Sequence, residues 1–167
     1  MKNNKMLLVI IATVTLVLLT WGVHQLRDTK SKNIPKGDLL QTLSISDAEF
    51  LKPGIQKIHG PCLVLFIASW CPHCKDILTE LKNTHLPVFI ILYHDKNPIT
   101  EEQKAIATGV FRDISLTISP KWHVKSIPSV FVVNTDGEVV KKFDGSFRTK
   151  NKVNFMAAVE AVKNDKQ

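Results

Sequence analysis

Cysteine is scarce in this chain, with three in 167 residues. Cys71 and Cys74 form one C-x-x-C, and Cys62 stands alone upstream. A single close pair cannot supply the four thiolates of a structural zinc site. From residue 39 onward there is no internal repeat and no low-complexity block. An excess of one charge is also missing from most of the chain. The formal charge is +7, but residues 1–36 hold six Lys or Arg against Asp28 alone, leaving sixteen basic and fourteen acidic residues in 37–167. The larger part therefore lacks the basic stripe that phosphate neutralisation needs, which excludes nucleic acid as a partner. A hydrophobic content of 44% and a length suited to one ordinary domain exclude extensive disorder.

The basic excess flanks the one long apolar run. Residues 6–23, Met-Leu-Leu-Val-Ile-Ile-Ala-Thr-Val-Thr-Leu-Val-Leu-Leu-Thr-Trp-Gly-Val, carry no charge. A helix rising 1.5 Å per residue needs about 20 apolar residues to cross a bilayer, so this run is long enough to span. Lys2 and Lys5 precede it, and Trp21 would lie at the far interface. A cleaved signal is the rival reading, but the run is longer than the usual apolar region and ends in bulky Trp21 without a small-x-small site. A buried core helix is a weaker rival, because polar residues 24–38 separate the run from the rest of the chain. The expected organisation is a cytoplasmic tip and signal anchor over 1–26, a polar tether over 27–38, and a single domain over 39–167. The charge rule, with four basic residues after the span, opposes export. The short amino-terminal tail and the cysteine motif favour a domain outside the cytoplasm.

Within 39–167, Ser46 with Glu49 has capping-box spacing and predicts a short helix before Pro53. The apolar runs 62–68 and 88–93 predict strands buried on both faces. Residues 76–83 predict a helix with Ile77, Leu78 and Leu81 on one side. Thr100 and Gln103 predict a second capped helix, and 108–128 is hard to assign. Residues 129–133 and 138–143 predict strands joined through Asp136-Gly137. A last helix near 151–163 would use Val153, Met156, Ala157, Glu160 and Val162. This order predicts an α/β fold, mostly parallel, with an antiparallel edge pair.

A C-x-x-C between a buried strand and a helix puts its first sulfur at the helix amino terminus. Unpaired N–H groups and the positive dipole end stabilise a thiolate there, so Cys71 is expected to titrate below the usual value of about 8.5. Cys74, one turn further in, would be the buried resolving thiol. Trp70, Pro72 and His73 tune the site, with His73 supplying positive charge or an N–H donor. Each pKa unit of thiolate stabilisation favours the reduced form by about 1.36 kcal/mol, roughly 30 mV. Ile127 and Pro128, just before a strand, would form a substrate loop if their bond is cis, with backbone groups open to an extended chain. No cofactor is needed, because the sulfurs carry the chemistry.

Residues 60–145 resemble the thioredoxin superfamily. Phe66-Ile67-Ala68-Ser69-Trp70-Cys71-Pro72-His73-Cys74 resembles the active-site strand, turn and helix, Ile127-Pro128-Ser129 the cis-proline loop, and Asp136-Gly137-Glu138-Val139 with Gly145 the closing hairpin. The resemblance implies a thioredoxin-like fold, a mixed central sheet flanked by helices, preceded here by one transmembrane helix. It implies a redox-active disulfide between Cys71 and Cys74, protein thiols or disulfides as substrates, and a membrane redox partner. The anchor with Trp122-His123-Val124-Lys125-Ser126-Ile127-Pro128 looks most like the membrane-tethered, TlpA-like bacterial branch, whose domain faces the periplasm or cell exterior. The Pro-His dipeptide is that of the periplasmic dithiol oxidase DsbA. These two cues point in opposite redox directions.

The superfamily places a buried carboxylate six positions before the first cysteine, where this chain has Leu65. Glu80, Asp76 and Asp95 are candidate substitutes, each expected to be a solvated surface charge instead. Cys62 is expected to be a small core residue. Trp122 and His123 would pack at a helix end, with a substrate groove as the alternative. Two other functions compete: a copper or zinc carrier using Cys71, Cys74 and His73 or His123, and a redox-inactive interaction module.

Overall fold

The computed structural model describes residues 34–35, 37–146 and 149–164, with the side chains of 149–151 left out. The apolar run 6–23 lies outside these residues. Among the described residues no helix is long and apolar enough to cross a membrane.

Strand β2, Cys62–Ile67, is buried at all six positions. A strand's side chains alternate between faces, so one with no polar position needs a core on each side. Leu63, Leu65 and Ile67 enter one core, and Cys62, Val64 and Phe66 the other. Strand β3, Val88–Tyr93, pairs with β2 in parallel, and β5, Ser129–Val133, pairs with it antiparallel. Strand β1 is Ala48–Leu51, β4 is Gly109–Asp113, and β6 is Val139–Asp144. The six form one mixed sheet in the order β1-β4-β3-β2-β5-β6.

Helix α1, Cys74–Leu81, buries Ile77, Leu78 and Leu81 against the first core. Helix α2, Glu101–Ile106, opens with the predicted reciprocal box: Gln103 N–H donates to Thr100 Oγ1, and Thr100 N–H donates to Gln103 Oε1. Helix α3, Thr149–Asn164, buries Phe155, Val159 and Val162, with Phe155 edge-on to Phe143 at 5.7 Å. The second core is aromatic. Trp122 meets Phe131 at 5.0 Å and Phe66 at 5.8 Å, and its indole N–H donates to Thr42 Oγ1 at 2.8 Å. Each such ring, fully buried, stabilises the fold by roughly 1.5–3 kcal/mol.

Four expectations are corrected. Residues 48–51 are strand β1, because pairing with β4 outweighs the capping signal, and the Ser46 hydroxyl turns instead to Ser44 and Asp47. The sheet is not mostly parallel, since three of its five described pairings are antiparallel. The last helix leaves Val153 and Met156 exposed and packs through a stripe shifted to Phe155, Val159 and Val162. Trp122 lies in a run of turns, not at a helix end.

The approach to β2 is set by Gly60, joined to Pro61 by a cis bond. A Cβ on Gly60 would lie 1.6 Å from the Asn134 carbonyl oxygen, inside the β5–β6 turn. That turn is rigid, with Asn134 Oδ1 accepting from the N–H groups of Asp136 and Glu138. Gly60→Ala should therefore cost about 3 kcal/mol or more in urea unfolding. Gly54→Ala should cost only about 1 kcal/mol, since Gly54 has φ +87° but nothing within 4 Å.

Candidate active site

Strand β2 runs out at Ile67, and two consecutive turns lead into α1. Cys71 N–H donates to the Ala68 carbonyl at 3.1 Å, and Cys74 N–H donates to the Cys71 carbonyl at 3.2 Å. Cys71 and Cys74 are joined in a disulfide with Cα atoms 5.5 Å apart. Cys71 is 8% exposed and Cys74 3%. Trp70, at 58%, stands out into solvent beside them, and Pro72 and His73 are also exposed. His73 is the residue that precedes α1, and its side chain makes no capping bond. Asp76 lies in the first turn of α1.

The Ile127–Pro128 bond is cis. Ser129 stands opposite Phe66 in the β2–β5 ladder, which sets Pro128 level with the end of β2. Ile127 packs against the cluster that includes Cys71 and Cys74. Among the described residues nothing bonds the Ile127 amide or carbonyl. On another side of the cysteines lies a cleft of about 240 Å³, lined by Cys71, Cys74 and Leu78 and across from them by Thr100, Glu102 and Gln103.

Leu65 is fully buried in the same cluster as Cys74. Of the three proposed substitutes, Asp76 is exposed and Glu80 pairs with Lys152 at 2.8 Å. Asp95 is the correction. It is 2% exposed and accepts from Ser69 N–H at 2.5 Å, Ser69 Oγ at 3.0 Å and Asn97 N–H at 3.0 Å. The Arg112 guanidinium donates to the carbonyls of Asp95 and Asn97 and pairs with Glu49 at 2.7 Å. Burial pushes the Asp95 carboxyl up, but the Ser69 and Asn97 bonds and the Arg112 charge outweigh this and hold it below the usual range. Asp95 is thus ionised at neutral pH, where it pins the turn before Cys71. It offers no proton to Cys74. Asp95 was expected to be solvated, but Asp95-x-Asn97 is also an Asx-turn signature, and the Asn97 N–H bond to Asp95 forms that turn.

Cys62 lies fully inside the second core, where burial pushes its thiol up to about 12. Trp122 is core and lines no groove, and His123 is exposed with φ +48°. No group of three or more His, Cys, Asp or Glu among the described residues could hold a metal ion, so His73 and His123 complete no ligand set with the cysteines.

The family model for thioredoxin matches residues 41–158. The chain belongs to the thioredoxin family. Its Cys71–Cys74 pair makes it a thiol–disulfide oxidoreductase of that family. Solved structures similar to this thioredoxin-family chain include a thio-disulfide isomerase from Thermus thermophilus, 24% identical over 62% of this chain and 81% of that one, with a TM-score of 0.45. StoA from Bacillus subtilis is 18% identical over 58% and 80%, with a TM-score of 0.44. A secreted disulfide oxidoreductase from Mycobacterium tuberculosis, homologous to E. coli DsbE, is 14% identical over 60% and 80%, with a TM-score of 0.47. No curated protein matches the chain.

The Asp95 pin gives an acid signature. A carboxylate depressed in the folded state contributes stability that is fully present above its unfolded value of about 3.9 and is lost as pH falls through the folded value. Asp95→Asn should cost about 2 kcal/mol at pH 7, the scale of charge-assisted bonds. The gap between wild type and variant in urea unfolding should narrow from pH 5 to pH 2.5.

Proposed function

We propose that the protein exchanges disulfides with other proteins at the outer face of a cytoplasmic membrane, held there by residues 6–23 and the tether. The observation that carries the exchange chemistry is the asymmetric pair: Cys71 is the more accessible, beside exposed Trp70, while Cys74 opens α1 from within the core, and Ile127 packs against the cluster that holds both. Cys71 is the nucleophile and Cys74 the resolving thiol.

In the reducing direction the Cys71 thiolate attacks one sulfur of a substrate disulfide, forming a mixed disulfide and releasing a substrate thiolate. Cys74, giving up its proton, then attacks Cys71, closes the Cys71–Cys74 disulfide and frees the second substrate thiolate, so two electrons pass to the substrate. In the oxidising direction a substrate thiolate attacks Cys71, Cys74 leaves as thiolate, and a second substrate thiol resolves the mixed disulfide. Stabilisation of the Cys71 thiolate favours the oxidising direction, and α1, which opens three residues later at Cys74, would supply it. A membrane partner would restore the pair in either case. With no carboxylate at Leu65, the Cys74 proton reaches bulk solvent through the cleft it lines with Thr100, Glu102 and Gln103. In this reading Ile127 N–H and C=O pair with an extended substrate strand.

On a fragment of residues 34–167, wild type should reduce insulin or oxidise a reduced dithiol peptide, and Cys71→Ser should fall to the buffer rate in both assays. Cys74→Ala should accumulate Cys71-linked mixed disulfides. Inactivity of wild type in both directions would refute the proposal. Equilibration with glutathione sets the direction, near about −120 mV for an oxidant or about −270 mV for a reductant. For topology, alkaline phosphatase fused after Lys36 of the full amino-terminal segment should be active, and an inactive fusion would place the domain in the cytoplasm.

A further inference from the structure

We infer that Lys142 and Asp144, on edge strand β6, are positioning residues that hold the 123–128 loop in the shape an extended substrate docks on. This rests on the substrate-loop reading of Ile127 and Pro128, and nothing in the chemistry of the two sulfurs calls for it.

The placement comes from strand geometry. Residues two apart on a strand share a face. Lys142 stands opposite Phe131 and Asp144 opposite Ser129, so both belong to the face of the second core. A lysine on that face is unusual, and its side chain is only 6% exposed. Its stem lies under the loop, with Nζ 5.4 Å from the centre of the Phe131 ring. The ammonium has two oxygen partners. It donates to the His123 carbonyl at 2.8 Å and pairs with Asp144 Oδ2 at 3.1 Å.

Those bonds secure both ends of the loop. At its start, His123 has φ +48°, the left-handed region, which costs a non-glycine residue about 1–2 kcal/mol unless its surroundings hold it. The charge-assisted bond to its carbonyl is such a hold. At its end, Asp144 Oδ1 accepts from Ser129 Oγ at 2.5 Å, and the same hydroxyl lies 2.6 Å from the Ser126 carbonyl. Gly145 N–H donates to the Pro128 carbonyl at 2.8 Å. Residues 123 and 129 are tied to β6 and residue 128 to Gly145 just after it, while among the described residues nothing bonds the Ile127 amide or carbonyl. The ties fix the chain on either side of Ile127 and so fix where its backbone groups point.

An inward lysine on an edge strand also discourages edge-to-edge pairing. That plainer role would leave the loop unchanged when the charge is removed.

The variants are Lys142→Met, which keeps the stem over Phe131 and removes the ammonium, and Asp144→Asn. Three readouts are taken on fragment 34–167. Amide exchange across 123–128 should speed up by about tenfold or more relative to strands β2 and β3. The catalytic efficiency kcat/KM for a disulfide-bonded peptide should fall by about tenfold, through KM. The equilibrium constant of the Cys71–Cys74 pair with glutathione should stay within about twofold of wild type. Unchanged loop exchange overturns the inference, as does faster exchange with unchanged kcat/KM, or a shift of the glutathione equilibrium equal to the loss in rate. If Lys142→Met does not fold, Asp144→Asn, at a residue whose side chain is 43% exposed, decides by the same readouts. A wild type inactive on every protein or peptide refutes the proposed function and overturns the docking role with it, whatever the exchange rates show.

Discussion

Every residue of β2 is buried, and this two-sided burial is what the rest of the molecule is arranged around. A strand in that position needs a layer on each face. One is supplied by α1 and α3 with Ile77, Leu81 and Phe155, the other by Trp122 and Phe131 with Leu40 and Leu43. Its two hydrogen-bonding edges are filled by β3 and β5. Strand β2 is held on all sides, and the turn carrying Cys71 leaves from its end. The sulfurs inherit that rigidity without contributing to it.

Much of this was legible in the residues because period-2 burial and turn chemistry are local signals. Runs without a polar residue marked β2 and β3, Asp136-Gly137 marked the β5–β6 hairpin, and Thr100 with Gln103 marked the start of α2. The C-x-x-C marked the disulfide, and the proline ahead of β5 marked the cis bond. What stayed hidden depends on distant partners. Ala48–Leu51 becomes a strand only because Gly109–Asp113 lies beside it, and that second segment, opening on glycine and holding Arg112, carries little strand pattern of its own. The face of α3 was misplaced because its apolar residues fit two stripes, and only the position of Phe143 selects one. Asp95 and Lys142 were hidden by the reasonable expectation that charged side chains are solvated.

Three aspartates share one end of the sheet. Asp113 closes β4, Asp144 closes β6, and Asp95 stands two residues beyond β3. Those strands run in the direction of β2, so the three carboxylates gather at the edge where the cysteine turn and the cis-proline loop emerge. Asp95 and Asp113 hold irregular segments, and Asp144 holds the first residue of β5 where the cis-proline loop enters it. Asp95 takes Ser69, Asp113 takes the N–H groups of Thr117, Ile118 and Ser119, and Asp144 takes Ser129. Loops at that edge expose backbone groups that no ladder can satisfy, and an ionised carboxylate is a strong acceptor for them. The working edge is thus built from irregular backbone made rigid by charge, with the apolar layers kept below it.

The lone cysteine takes on meaning in this setting. A protein that repeatedly passes through mixed disulfides presents sulfur to many partners, and a third reactive thiol would open a route to scrambled or cross-linked chains. Cys62 is removed from that traffic by its place opposite Val133 in the middle of the sheet. Only a chain that has lost β2 from its ladder offers this sulfur to an oxidant. Mispairing is therefore a hazard of the newly made or damaged chain, and the folded one is insulated from its own chemistry.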